Sequence, residues 1–242
     1  MTPADAADAV ARPIGSIGSR FMFDPGTYAD AAALGYSGLD FYFAGRCGVL
    51  GDTSSDVVNA ALGFFEPDTV ATLWRQGCAV EGATAAAQRF NNACAAWGEA
   101  HFGDGVDYHE LGMLADRVIA AAPSAALPIF AGWRAMPLAP GPKGSVCQRL
   151  NVLRELRGGA HLVSVVASGV SPYEAVLAQG GIPNAELFGF TAPHPDTHHL
   201  DSTMAEIEVR TTRIVEPAFA ALTDSERGRF VDLVRATRAG LV

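Results

Sequence analysis

Arg154, Glu155, Arg157 and His161 form the densest group of chemically useful side chains, at positions i, i+1, i+3 and i+7. On an unbroken helix Arg154, Arg157 and His161 would share one stripe, because residues three and four apart are neighbours on a helix surface. The Gly158-Gly159 pair is expected to break that helix and leave the imidazole at the start of a new one. Two guanidiniums beside an imidazole suit a carboxylate- or phosphate-bearing ligand, since the planar fork offers paired donors. The same residues also fit an Arg–Glu network that ties helices together.

An internal echo supplies a second group. Phe43-Ala44-Gly45-Arg46 recurs as Phe130-Ala131-Gly132 with Arg134 one place later, an offset of 87 residues. Each copy follows an apolar face and precedes a Gly/Pro-rich turn, an arrangement compatible with two related halves. Each arginine must snorkel, cap a helix C-terminus or find an anion, because burying an unpaired charge costs on the order of several kcal/mol. If Arg46 and Arg134 converge, they make an anion-recognising pocket walled by Tyr42 and Trp133.

His194, Asp196, His198, His199 and Asp201 carry metal-ligand side chains, but their spacing matches no established metal motif and lies in a proline-bearing loop. The expectation is no metal, with His194, His198 and His199 as the alternative set. His101, His109 and Glu110 are expected at the surface. The chain has no G-x-S-x-G, no phosphate loop and no dinucleotide fingerprint, and no cysteine stands locally beside a histidine. Neither a reaction nor a cofactor is named by its motifs.

These side chains must be positioned by helices, for helix punctuation recurs along the whole chain and alternating strand patterns do not. Asp24-Pro25 is an N-cap followed by proline, opening a helix at Tyr28 to Leu34 that Gly35 closes. Further helices are expected over Ser37 to Arg46, Val57 to Phe64, Pro67 to Gly77, Val80 to Phe102 and Tyr108 to Ala121. Beyond them come Val146 to Arg157, His161 to Ser168, Pro172 to Gln179 and His199 to Leu222. The last, to Ala239, opens with the capping box Thr223-Asp224-Ser225-Glu226. The fold class is all-α, with about eleven helices. Residues 137–144, PLAPGPKG, cannot continue a helix and are expected to link an N-terminal half (1–136) to a C-terminal half (145–242).

Composition bounds the partners. The 242 residues carry a net charge of −9, and sixteen Arg against one Lys in an Ala-rich background indicate a high-GC bacterial genome. Such a charge repels phosphate backbones and anionic membranes in the absence of a local basic patch. Cys47, Cys78, Cys94 and Cys147 stand singly, as reduced thiols would, and Val118 to Trp133 is interrupted by prolines and too short to span a bilayer. The expected location is the cytoplasm, with no membrane association.

Residues 160–179, AHLVSVVASGVSPYEAVLAQ, have a helix-turn-helix layout: a small residue before a turn at Gly169, then Ser171 capping a second helix. That second helix offers Tyr173, Glu174 and Gln179 where a DNA reader needs Arg, Lys or amides. From Gly158 through Val209 there is no Lys or Arg, against six acidic residues. Nucleic acid is a poor partner on this count.

The runs FYFAGRCGVLGD (41–52), ALGFFEP (61–67), LRELRGGAHLVSVVASGVSPYEA (153–175) and LFGF (187–190) resemble an actinobacterial family labelled helix-turn-helix, or SalK-like, over about Pro13 to Leu222. The resemblance implies a helix-turn-helix topology and no established chemistry. Longer relatives carry a winged-helix-like insert after about Gly180, which this chain lacks. The combined expectation is a helical binder of a small organic anion, or an enzyme of specialised metabolism, using Tyr42, Arg46, Trp133, Arg134, Arg154, Glu155, Arg157 and His161. The alternative is a transcriptional regulator acting as a homodimer.

Overall fold

The computed structural model describes residues 1–241. Its first helix, α1 (Pro3–Phe23), begins with a reciprocal capping box between Thr2 and Asp5 and buries Ala6, Val10, Ile14, Ile17 and Phe21 along one stripe. No helix is expected there from sequence. Then follow α2 (Pro25–Ala32), α3 (Leu39–Cys47), a 3-10 turn at Gly48–Leu50, α4 (Ser55–Leu62), α5 (Pro67–Glu81) and α6 (Ala83–His101). The second half of the chain forms α7 (Tyr108–Ala121), α8 (Pro128–Trp133), α9 (Pro142–Ala167), α10 (Pro172–Leu187), a second 3-10 turn at His198–Leu200, α11 (Asp201–Phe219) and α12 (Asp224–Ala239). Among the described residues the only β pairing is an isolated bridge between Phe102 and Leu241. The protein is all-α, as its punctuation predicts.

The 26-residue α9 is the spine of the fold, packed against α1, α6, α7, α8 and α11. It passes through Gly158-Gly159 without a break, contrary to the sequence expectation. The reason lies in packing: a Cβ on Gly159 would stand 2.8 Å from Leu127 Cδ2, so the glycine admits the chain entering α8. A helix whose other faces are buried tolerates the roughly 1 kcal/mol that each glycine costs relative to alanine.

The segment 137–144 is tied to both neighbours. Asn91 Nδ2 donates to the Pro137 carbonyl (2.8 Å), the Ala139 N–H to Gln148 Oε1 (2.8 Å) and the Gly144 N–H to Glu99 Oε1 (2.7 Å). One main hydrophobic core draws on residues from Ala6 to Val234, on both sides of this segment.

The turn after α9 carries Gly169 at φ +72°, and Ser171 and Glu174 form a capping box that starts α10. α9 and α10 meet at 113°, the range of a helix-turn-helix pair. α10 runs past the expected end at Gln179 to Leu187, kinked at Gly181, where φ is +67°. It joins two small satellite clusters rather than the main core: Ala175 with Val165, Val170, Leu200 and Ile207, and Val176, Leu177 and Ala185 beside Phe64 and Phe188. No single helix among the described residues is long and apolar enough to cross a membrane.

The two spine glycines separate propensity from packing. A Cβ at Gly158 meets no atom within 4 Å, so Gly158→Ala should raise the unfolding free energy by up to about 1 kcal/mol. Gly159→Ala should lower it by about 1–3 kcal/mol through overpacking against Leu127. Urea titration of the two variants reads both; an equal response would refute the packing account.

Candidate functional site

Six of the eight residues singled out from sequence line one cavity of about 370 Å³: Tyr42 and Arg46 from α3, and Arg154, Glu155, Arg157 and His161 from α9. Its apolar walls come from Val10 and Ile14 of α1, from Phe64 and Phe65, from Leu127, Ile129 and Phe130 around α8, and from Phe188 and Phe219. Gln179 of α10 and Glu208 of α11, neither expected, complete the polar lining. This volume lies in the range of small-molecule sites.

At the inner end Arg46 grips Glu155 through two parallel bonds, Nε to Oε1 and Nη2 to Oε2, each 2.8 Å, and its Nη1 donates to the Tyr42 hydroxyl at 2.6 Å. Arg154 Nη1 reaches the same carboxylate at 2.9 Å. The Glu155 side chain is 2% exposed. Burial works to raise its pKa, and the guanidiniums of Arg46 and Arg154 overcome that and hold it below the ordinary carboxylate value. Burial likewise works against the charge on Arg46, and Glu155 outweighs it, so the guanidinium stays protonated.

The echo of the tetrapeptide does not place its two arginines alike. Trp133 is buried beneath the cluster and donates its indole N–H to the Arg46 carbonyl at 2.9 Å. Arg134 points elsewhere: its Nη1 donates to the carbonyl of Ala122, at the C-terminal end of α7, and its guanidinium lies 5.2 Å over the Phe130 ring. Neither Trp133 nor Arg134 lines the cavity, and Arg134 fits the capping alternative instead.

One turn along α9, Arg157 Nη2 donates to Glu208 Oε2 at 2.5 Å, while its Nη1 is buried and finds no hydrogen-bond partner among the described residues. Glu208 Oε1 is also 3.3 Å from His161 Nδ1. The Thr211 hydroxyl, which donates to the Ile207 carbonyl, stands 3.3 Å from the same nitrogen and can only accept there. Nδ1 therefore carries the proton, and Nε2 is left to accept from Gln179 Nε2 at 3.1 Å. Burial lowers the His161 pKa, Glu208 works to raise it and Arg157 to lower it, so the imidazole is neutral at pH 7. Three guanidiniums against two carboxylates leave this lining one positive charge, in a chain whose net charge is −9.

Two glycines of the lining have no packing role. A Cβ at Gly15 of α1 or Gly158 of α9 would meet nothing within 4 Å. Gly18, by contrast, leaves room for the aliphatic stem of Arg154.

The remaining candidates do not assemble. His194 Nδ1 sits 2.6 Å from the Tyr173 hydroxyl, whereas His198 and His199 are exposed on the second 3-10 turn. Among the described residues no three His, Cys, Asp or Glu side chains are grouped to hold a metal ion. Burial pushes the Cys47 thiol beside the cluster up to about 12, far from a reactive thiolate. On α10, Tyr173 stacks on Phe190 with ring centroids 4.1 Å apart, and the guanidinium bonded to the turn before it is Arg210, on Ser168 at 2.7 Å.

Removing Glu155 leaves the largely buried Arg46 and the partly buried Arg154 without the carboxylate they share. Glu155→Ala should therefore cost about 3–5 kcal/mol in a urea titration at pH 7. Because its folded pKa is depressed, the carboxylate's contribution is complete above the ordinary carboxylate pKa and declines as pH falls toward the folded value. Acid titration of Glu155→Gln should lack that part of the loss; an unchanged acid limb would contradict the assignment.

A family model described as a helix-turn-helix family matches residues 7–192, while no curated protein and no solved structure matches the chain. The matched span contains α9, α10, the turn between them and every residue of the inner Arg46–Glu155–Arg154 cluster, and on that basis the chain belongs to the helix-turn-helix family.

Proposed function

We propose that this chain binds a small organic anion with an apolar body in the cavity beside α9. The observation that carries the reading is Arg157: a guanidinium lining a cavity with one buried terminal nitrogen unpartnered among the described residues. A buried donor without an acceptor costs about 1–3 kcal/mol, and a ligand anion would satisfy it once the side chains that shield Nη1 in the empty protein move aside. The excess positive charge of the lining and the aromatic walls of Phe64, Phe65 and Phe188 agree with such a ligand. Gly15 and Gly158 support it as well, for each costs helix stability and leaves only space. The finer reading proposed with it is an actinobacterial, SalK-like, cytoplasmic member of the family, one that departs from the longer relatives in lacking a wing after about Gly180.

The test is a calorimetric titration with 4-phenylbutyrate, alongside native mass spectrometry of the freshly purified protein for a retained anion. Arg157→Ala should weaken binding by about 1–3 kcal/mol, and Gly158→Leu, whose Cβ would meet no atom within 4 Å, should abolish it while the protein stays folded. Unchanged affinity in both variants would remove the site.

Family membership and the 113° pair favour a second reading, a regulator that presents α10 to duplex DNA. Against it stand the carboxylates of residues 158–209 and the setting of Tyr173, stacked on Phe190 and next to Glu174, with Arg210 bonded to the turn before it. A DNA reader should give a mobility shift whose logarithmic affinity falls linearly with log salt. No shift at low salt would eliminate this reading.

A further inference from the structure

The two carboxylates of the cavity are held in opposite ways. Glu155 is 2% exposed and accepts three charged hydrogen bonds from Arg46 and Arg154, so it cannot leave without stranding both guanidiniums. Glu208 enters from α11 with 48% of its side chain exposed and one short bond to Arg157. It occupies half of a guanidinium fork. The other half, Arg157 Nη1, is buried and unpartnered among the described residues.

We propose that Glu208 is a removable stand-in for the carboxylate of the ligand, and that the cavity takes a monocarboxylate attached to an apolar body. On binding, the ligand carboxylate accepts from both terminal nitrogens of Arg157, and Glu208 turns into water. The exchange replaces one carboxylate by another at the same guanidinium, so the charge of the pocket is unchanged, and the bidentate geometry satisfies the orphaned N–H. His161 keeps its proton on Nδ1 through Thr211 when Glu208 departs. The apolar body lies against Phe64, Phe65 and Phe188. Glu208 is thus a specificity-determining residue: it occupies the carboxylate position in the empty protein and yields it only to a ligand carboxylate, while a neutral ligand leaves it in place.

This inference rests on the anion-pocket reading, and the experiment separates the two. Titrations of 4-phenylbutyrate, its neutral counterpart 4-phenylbutan-1-ol and inorganic phosphate are run on the wild type, Glu208→Ala and Glu208→Gln. A half-exposed ion pair is worth up to about 1 kcal/mol, which converts to a gain of about fivefold in 4-phenylbutyrate affinity for both variants. The alcohol should bind weakly and alike to all three proteins, and the gain should vanish when Arg157→Ala is combined with Glu208→Ala. Equal 4-phenylbutyrate affinity in wild type and both variants overturns the exchange and leaves the anion pocket standing. Phosphate binding tighter than 4-phenylbutyrate overturns the carboxylate class. Failure of both anions to bind any of the proteins overturns the pocket itself.

Discussion

Two guanidiniums share one carboxylate inside this bundle, and the geometry around them follows from that. An ion pair out of water is tolerated only when its hydrogen bonds are nearly ideal, because desolvation can exceed the Coulombic gain. Arg46 meets the condition with both prongs of its fork on Glu155 and its third nitrogen on Tyr42. Its neighbours are arranged to keep it there. Trp133 holds its carbonyl, Tyr42 is packed edge-on against Phe43, and Gly18 makes room for the stem of Arg154. The cluster fixes α3 against α9, and with them the inner end of the cavity. Apolar residues of similar volume often serve stability as well, so the cluster is not explained by stability alone.

The spine explains why so distant parts of the sequence meet there. α9 is buried on most of its circumference, and α1 and α11, from opposite ends of the chain, flank the stripe that carries Arg154, Arg157 and His161. α10 is anchored differently. Its apolar residues reach only the satellite clusters, and Phe64 and Phe188 serve both those clusters and the cavity wall. The helix-turn-helix pair and the cavity therefore have side chains in common.

Much of the helical plan can be read from end signals alone. The capping boxes at Ser171 and Thr223, and the prolines at the starts of α2 and α5, stand where the chain says they should. α1 is obscured by Pro13, Gly15 and Gly18, residue types that break helices, although Thr2 and Asp5 supply an end signal and Ala6, Val10, Ile14, Ile17 and Phe21 stand at helical spacing. The continuity of α9 escapes for a similar reason, since nothing near Gly159 in sequence announces Leu127 on the other side. At the site, Arg154, Arg157 and His161 were legible as a group through helical spacing. Glu208 and Gln179 were not, for they come from other helices and have no local signature. Arg46 and Arg134 both follow a Phe-Ala-Gly run and part company because one faces Glu155 and the other the end of α7.

The glycines that open onto the cavity set stability against occupancy. At Gly15 and Gly158 the protein forgoes side chains that its own packing would accept, on helices that would be firmer with them. Selection for heat resistance alone would drift toward filling both positions, and each step would narrow the chamber. On the anion-pocket reading proposed above, hardened descendants of this chain would keep the bundle and lose the guest, the trade-off expected wherever an empty space is the functional part.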